Sequence, residues 1–474
     1  MTGRFEGLEF PASSARLEPA EARLLGVYPQ RQEGLLMQRV KVPAGVMTAA
    51  AWRAMAHAAE ARTPGSPLHL TTRQDIEFHN VREDAIVALQ VDIARAGFTG
   101  MGACGDTLRN ITVCPGCGLD PDVWDLSPLA NAIKDAAESR PFIRAMPRKF
   151  KISLSGCSAG CARPWTNDIG IVALPSGRFE VMLAGSLGAR PATGIRAYED
   201  LEADDILPLT VAALGLFNRE GDRTVRTRAR LRHVRERMGD GPFLEEIDRL
   251  FQREKTSSVT RLPVTVIRRA GGARVLRAVL KAPLGDIAPE AALELADFLD
   301  SSGGTSCIGL DHDVLVFAGT GETLPEALDV LAGGPSVVAC PGTTWCARGI
   351  TDSRAVGAVL VAENAPAGLK AAISGCPNNC SCAAVADIGL VGRLKTVNGV
   401  KAQCYRLLAG GGGGATAALS RELHGAVPAG RVRDAVRLVR SEYEKSGGSR
   451  AAPFADFVCA GIERLSALVA QMLD

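Results

Sequence analysis

The strongest constraint on this chain is that it repeats itself. The stretch ISLSGCSAGCARPWTNDIGIVA from Ile152 is matched by AAISGCPNNCSCAAVADIGLVG from Ala371, and both read SGC, three residues, Cys, then Asp-Ile-Gly. Cys157, Cys161 and Asp168 map onto Cys376, Cys380 and Asp387 with one constant offset, while CPGCG at Cys114 corresponds upstream to CPGTTWC at Cys340. A weaker pair lies further back, LHLTTRQDIEFHNV near Leu68 against SCIGLDHDVLVFAG near Ser306. Parts recurring in one order describe a duplicated structural unit, each copy folding the same way. The join falls at QREKTSSVTRLP, Gln252 to Pro263, where the pattern turns polar and ends in proline.

Hydrophobic periodicity within each copy opens as strand, helix, strand, helix: LLMQRVKV, MTAAAWRAMAHAAEAR, LHLTTRQDIEFHN, and a helix from about Glu83 to Gly97. The second copy repeats this with PVTVIRR and VLRAVLKAP, a helix around Pro289 to Leu299, a strand pair near Cys307 and Val314, and a helix from Leu324. The expected fold class is α+β and internally duplicated: two ferredoxin-like sandwich half-domains, each followed by a larger α/β segment with cysteine pairs on its loops. The expected division is an arm over 1–34, a half-domain over 35–100, an α/β domain over 101–251, a linker with the second half-domain over 252–334, and the second α/β domain over 335–474. Two late helices, PAGRVRDAVRLVRSEYEKSG and DFVCAGIERLSALVAQML, carry apolar residues at i, i+3, i+4 and look architectural.

Charge excludes some classes of function. Lys plus Arg is 54 against 52 for Asp plus Glu, so a net charge of +2 provides no long-range field for nucleic acid or an acidic membrane surface. No apolar run reaches membrane-spanning length, and MTGRFEGLEF lacks the basic-then-apolar order of a leader. No nucleic-acid or membrane partner is expected, and the chain reads as cytoplasmic.

Thirteen cysteines in such a chain argue for metal ligation or buried thiols rather than a disulfide framework. Cys104, Cys307, Cys382, Cys404 and Cys459 stand singly and read as small core residues. The other eight form tight pairs. Cys340 and Cys346 with Cys376 and Cys380 can bring four thiolates to one point, which a zinc ion or an iron–sulfur cluster makes tolerable. The wide spacing of CPGTTWC is awkward around a single tetrahedral ion and easier around a cluster.

At this point the motifs become recognisable. CPGTTWC, then SGCPNNC followed by DIGLVG, resembles the nitrite and sulfite reductase family, which couples siroheme to a [4Fe-4S] cluster. The resemblance runs through VYPQRQEGLLMQRVKVPAG, LTTRQDIEFHNV, RNITVCPGCGLDP and MPRKFKISLSGC to the glycine run Gly410–Gly414. It implies the same duplicated fold. It implies that Cys340, Cys346, Cys376 and Cys380 hold the cluster, that Cys380 also reaches the siroheme iron, and that Asn378 lies near the siroheme. Arg73, Arg109, Lys149 and Lys151 match family positions facing the substrate and cofactor.

Those four residue types suit the chemistry, since a polyanionic macrocycle and a small oxyanion both need fixed cations. Lys149 and Lys151 flank Phe150 at a strand start, so both ammonium groups point to one face. Arg offers a planar fork for oxyanion oxygens and Lys a transferable proton, so Arg73 and Arg109 are expected to hold the anion and the lysines to protonate departing oxygens. The implied reaction is six-electron reduction, of sulfite to sulfide or nitrite to ammonia. The lysine pair resembles the sulfite-reducing pattern, so sulfite is the preferred expectation and nitrite the alternative. Further alternatives are a precorrin-3B synthase-like oxygenase and a noncatalytic cluster-bearing subunit.

Electrons are expected from ferredoxin or a similar one-electron donor, with RTRARLRHVRERM, Arg226 to Met238, as a basic surface for it. The run Gly410–Gly414 is read either as a cradle for carboxylates or as a turn before a helix at Ala415, and GTGET at Gly319 lacks the features of a nucleotide loop. Two features depart from the family pattern. Asp311 stands where Arg73 has its counterpart, so the duplicated pocket is expected to have lost anion binding. Cys114, Cys117, Cys157 and Cys161 are either a second metal centre or a relic of duplication.

Overall fold

The computed structural model describes residues 19–120, 122–257, 274–397, 399–415 and 417–474. The expected strand PVTVIRR lies outside them. Among the described residues four sheets organise the fold, two in each half, and the second pair repeats the first.

The larger sheets are the clearest evidence of duplication. In the first half, Thr112–Val113, Ile152–Ser155 and Ile169–Ala173 run parallel side by side, then Phe179–Leu183 and Ile195–Leu201 continue the sheet antiparallel. In the second half, Val337–Ala339, Ala371–Ser374, Ile388–Val397, Val400–Ala409 and Arg421–Pro428 adopt the same order and directions. The central parallel strands are wholly buried, ISLS and AAIS alike, as strands covered on both faces must be. Helices Ser127–Glu138 and Ala203–Glu220 pack on the first of these sheets, and Val432–Lys445 and Phe454–Leu473 belong to the core of the second.

The repeat also fixes small details. The buried carboxylate of Asp168 accepts the backbone N–H of Lys151 at 2.8 Å, and Asp387 accepts that of Lys370 at the same distance. This is why Asp-Ile-Gly recurs: each Asp ties the start of one parallel strand to the start of the next.

The two smaller sheets exchange strands. Val46–Met47 leaves the first half to pair with Thr305–Ile308, while Asp286–Ile287 leaves the second to pair with Leu68–Leu70. Each exchanged strand follows a turn in which a non-glycine residue takes positive φ, Ala44 at 53° and Leu284 at 55°. Gly45 and Gly285 follow, and a side chain there would strike Ile308 O at 2.6 Å or the His69 ring at 2.7 Å. Only glycine permits that approach. Helices Ala49–Arg62 and Pro289–Ser301 pack against each other, with Arg53 bonded to Asp297 and Asp300 at 2.7 and 2.8 Å. The half-domains therefore share one apolar core.

One expected strand is in fact a hairpin. LHLTTRQDIEFHN folds as Leu68–Leu70 and Ile76–Arg82, with TTRQD as the turn and Gln74 at φ 61°. Arg73 therefore projects from a turn. The described residues contain no helix long and apolar enough to cross a membrane.

Candidate active site

Both cysteine constellations lie beyond the carboxyl ends of two adjacent parallel strands, where open α/β sheets place their ligands. Cys340 follows Val337–Ala339 and Cys376 follows Ala371–Ser374. The Cys340 sulfur accepts the Gly375 N–H at 3.0 Å, and burial pushes its thiol up to about 12. Cys376 receives both the backbone N–H and the side chain of Asn378. Cys380 interacts electrostatically with Cys340, Cys346 and Cys376. Yet no three of these sulfurs lie within 4.8 Å of one another. These sulfurs do not converge as one tetrahedral ion requires, whereas four thiolates on two such loops can hold a larger cluster, one per iron.

The first half closes over these loops. Thr72, in the TTRQD turn, donates to Cys380 O at 3.0 Å. Arg31 donates to Gly349 O at 2.6 Å, Gln32 to Thr344 O at 2.6 Å, and the Arg31 N–H to Trp345 O at 2.9 Å, so the loop from Cys340 to Gly349 is held by the opposite half. Trp345 stacks on His79 at 4.0 Å, with Arg354 over its ring at 4.4 Å.

A set of buried and half-buried cations faces this cap. Lys149 feels Cys380 across the gap between halves, and burial, reinforced by Arg109, Arg230 and Arg148, lowers its ammonium to about 7. Lys151 is driven well below its ordinary value by burial and by Arg73, Lys149 and Arg230. Arg73 is lowered to about 10, again mainly by burial. Its guanidinium donates to Asn110 O at 2.6 Å, Asn167 Oδ1 at 3.0 Å and Ile152 O at 3.3 Å, while its buried Nε has no partner. A positive cluster so short of carboxylate partners is costly alone and suited to a polyanion.

Arg109 stands apart from the other three. Its guanidinium donates to Ala103 O and, at 2.7 Å, to Gly105 O, with Arg39 nearby, so it contributes field from a fixed seat. Asn378 is exposed and bonded to the Cys376 sulfur, a placement beside one of the expected cluster ligands.

Other expectations change. The N–H groups of Gly410, Gly411 and Gly412 donate to Asp387 O, Ala386 O and Ala418 O at 2.9, 3.0 and 2.9 Å, so these three have no donors left to cradle carboxylates. No helix begins at Ala415; the chain pairs Gly412 with Ala418 and enters the strand Arg421–Pro428. Cys382 is not a plain core thiol, because Arg163 donates to its sulfur at 3.3 Å. Several arginines of Arg226–Met238 are engaged internally, Arg226 by Asp106 at 2.8 Å and Arg235 by Asp240 at 2.7 Å, which weakens that stretch as a basic docking surface.

Within the same stretch, Arg230 grips buried Asp168 at 2.6 and 3.2 Å and extends the cation set toward Lys149 and Lys151. Sequence reasoning misses it among its arginine neighbours. The available signal was Asp168 itself, a repeated carboxylate on an apolar strand that needs a cation.

Comparison with known proteins agrees with this geometry. The nitrite and sulphite reductase 4Fe-4S domain matches residues 104–255 and 334–470, once per half, and the nitrite/sulfite reductase ferredoxin-like half domain matches residues 28–96. The assimilatory ferredoxin-dependent nitrite reductase of Haloferax mediterranei is 28% identical, covering 87% of this chain and 80% of its own. The sulfite reductase [ferredoxin] 1 of Mycolicibacterium paratuberculosis is 25% identical over 85% and 81%. The solved structure of Mycobacterium tuberculosis NirA protein superposes with a TM-score of 0.79 at 20% identity, covering 93% of this chain and 89% of that one, so the fold is shared. With duplicated sheets, cysteine loops and matches in both halves, the chain belongs to the nitrite and sulfite reductase family, the family of siroheme and [4Fe-4S] oxidoreductases.

Proposed function

We propose that this protein reduces a small oxyanion by six electrons, drawing them from ferredoxin, with nitrite as the substrate and ammonia as the product. The observation that carries the reading is the hydrogen bond from Thr72, in the turn that bears Arg73, to Cys380 O at 3.0 Å, which supports a cation-bearing first half set against the expected junction of the cofactors, with Lys149 near enough to Cys380 to feel its charge. Nitrite ranks above the sulfite expected from the lysine pair because several of the most similar relatives, including those of Haloferax mediterranei and Zea mays, are ferredoxin-dependent nitrite reductases.

Siroheme and the [4Fe-4S] cluster, when bound, supply the electrons and the iron that holds the anion. Cys340, Cys346, Cys376 and Cys380 would hold the cluster, with Cys380 also toward the siroheme iron. Arg73, braced by Asn110, Asn167 and Ile152, offers a fixed positive fork to oxyanion oxygens. Lys149, titrating near neutrality, can release a proton to an oxygen and regain one from solvent without a large free-energy step. Lys151 contributes charge beside it. Arg109 acts through the field as a positioning residue, and Asn378 supports the Cys376 thiolate.

A second reading, sulfite to sulfide, is favoured by one observation: Arg73, Lys149, Lys151 and Arg230 form a concentrated positive field, and sulfite carries more negative charge than nitrite. The division at 35–100, 101–251, 252–334 and 335–474 is likewise our proposal; the strand exchange means that the two ferredoxin-like parts would not separate intact. The test is anaerobic purification, an absorption spectrum for siroheme, and parallel steady-state rates with reduced ferredoxin. Faster turnover of nitrite supports the first reading and faster turnover of sulfite the second. Protein that takes up the cluster but never siroheme would sink both.

A further inference from the structure

The first half holds a thiol cluster that the reductase chemistry does not use. We propose that Cys114, Cys117, Cys157 and Cys161 bind one structural zinc ion, a metal centre separate from the cofactor site. The sulfurs of Cys114, Cys157 and Cys161 all lie within 4.8 Å of one another, the one group of three potential metal ligands so close among the described residues. Tetrahedral zinc with Zn–S bonds of about 2.3 Å places its sulfurs ~3.8 Å apart, well inside that limit. Cys117 supplies the fourth thiol: its backbone N–H bonds to Cys114 O at 2.9 Å, closing the Cys-Pro-Gly-Cys turn, and its thiol lies against that of Cys114 but outside the close group of three, so it moves inward to complete the shell when the ion binds.

The surroundings favour a metal over loose thiols. The Gly116 N–H points at the Cys114 sulfur and the Ala159 N–H at the Cys157 sulfur, donors that support thiolates in metal sites. Cys114 and Cys161 sulfurs stand 2.7 Å apart, beyond the roughly 2.05 Å of a disulfide bond and inside the ~3.8 Å that a shared zinc sets, so the ion spreads this pair as it binds. A disulfide between them would also leave the third converging sulfur, that of Cys157, without a function. The spacings CxxC and CxxxC are those of zinc staples, whereas CPGTTWC in the other half is not. The same two strand ends thus carry a tight sulfur set in one half and an open one in the other, which argues for one ion here rather than a second cluster.

Four protein ligands leave no open coordination position, so the ion would act structurally. Its target is the contact between halves. The loop Cys157–Cys161 contains Gly160, where a side chain would meet the Gly414 and Ala415 backbone at 2.8 and 2.9 Å. Arg163, two residues beyond the last ligand and at φ 57°, donates to Leu310 O at 3.0 Å, to Cys382 and to Asp311. Each thiol loses a proton as the ion binds, and those protons pass to solvent.

The test is elemental analysis of anaerobically purified holoenzyme together with zinc-edge X-ray absorption. One zinc per chain in a shell of four sulfurs at about 2.3 Å is the expected result, and the Cys157→Ser/Cys161→Ser variant should lose that zinc while keeping its full iron content. Zinc bound through nitrogen and oxygen, absence of zinc, or a cluster iron content of about eight per chain rather than four would overturn the proposal. The wild-type measurements decide the matter even if the variant fails to fold. Because zinc is counted separately from siroheme, the result also stands apart from the identity of the substrate.

Discussion

The two halves present the same sheet, the same strand ends and the same cysteine-bearing loops, and they differ in what surrounds them. Around the first-half loops, Arg73, Lys149, Lys151 and Arg230 make a positive field with Asp168 bound to Arg230. In the second half the counterpart of Lys149 is Gly368, that of Arg73 is Asp311, and the remaining cation, Lys370, bonds to Asp311 at 3.2 Å. Arg163 also pairs with Asp311, and its own repeat equivalent is Cys382, which it touches at 3.3 Å. Equivalent residues in contact place the relation between the halves at that point. The lesson is a division of labour: one copy keeps the cations, the other keeps the openly spaced thiols, and the active site we propose needs both.

The largest expected effect separates the two cysteine sets. Cys380→Ser should remove cluster and siroheme absorption together and abolish turnover, whereas Cys161→Ser, its equivalent in the repeat, should keep both absorption bands; matching losses in the two variants would erase the distinction. Next come the cations. Lys149→Met with Lys151→Met should lower kcat by about 10²–10⁴-fold with siroheme still bound, measured in cofactor-replete protein, and an unchanged kcat would remove the lysines from the chemistry.

Asp311→Asn tests the neutralised side. It strands Arg163 and Lys370 beside one another, so stability to denaturant should fall on the order of 2–4 kcal/mol, and replacing Arg163 by Met in the same protein should recover part of that. The smallest effect is in pH. Lys149 is charged below about 7 and neutral above it; the charged form attracts the anion, so nitrite affinity of the oxidised enzyme should weaken as pH rises through that value. In Lys149→Met the same titration by absorption should lose that step.

Much of the site was legible because it depends on local spacing. Cys340, Cys346, Cys376 and Cys380 could be paired from their motifs, whereas the alternation expected of Lys149 and Lys151 falls just before the strand, which begins at Ile152. Arg109 was expected to hold the anion, but its guanidinium is taken up by the Ala103 and Gly105 carbonyls, which come from a loop with no sequence signal. Arg230 was hidden because a buried arginine and a solvated one look alike in a run of arginines. The glycine run misled for a similar reason: glycine leaves its N–H groups open in principle, and only the packed structure shows which carbonyls take them.

The sequence by itself determined the duplication, the order of elements and the identity of the thiol pairs, because repeats, periodicity and spacing are properties of the chain. Tertiary structure decided the exchange of Val46–Met47 and Asp286–Ile287, the seating of the Thr72 turn on Cys380, and the difference between converging sulfurs in one half and separated sulfurs in the other. Those depend on distances between segments far apart in the chain, set by how buried surfaces and charges from both copies pack against each other.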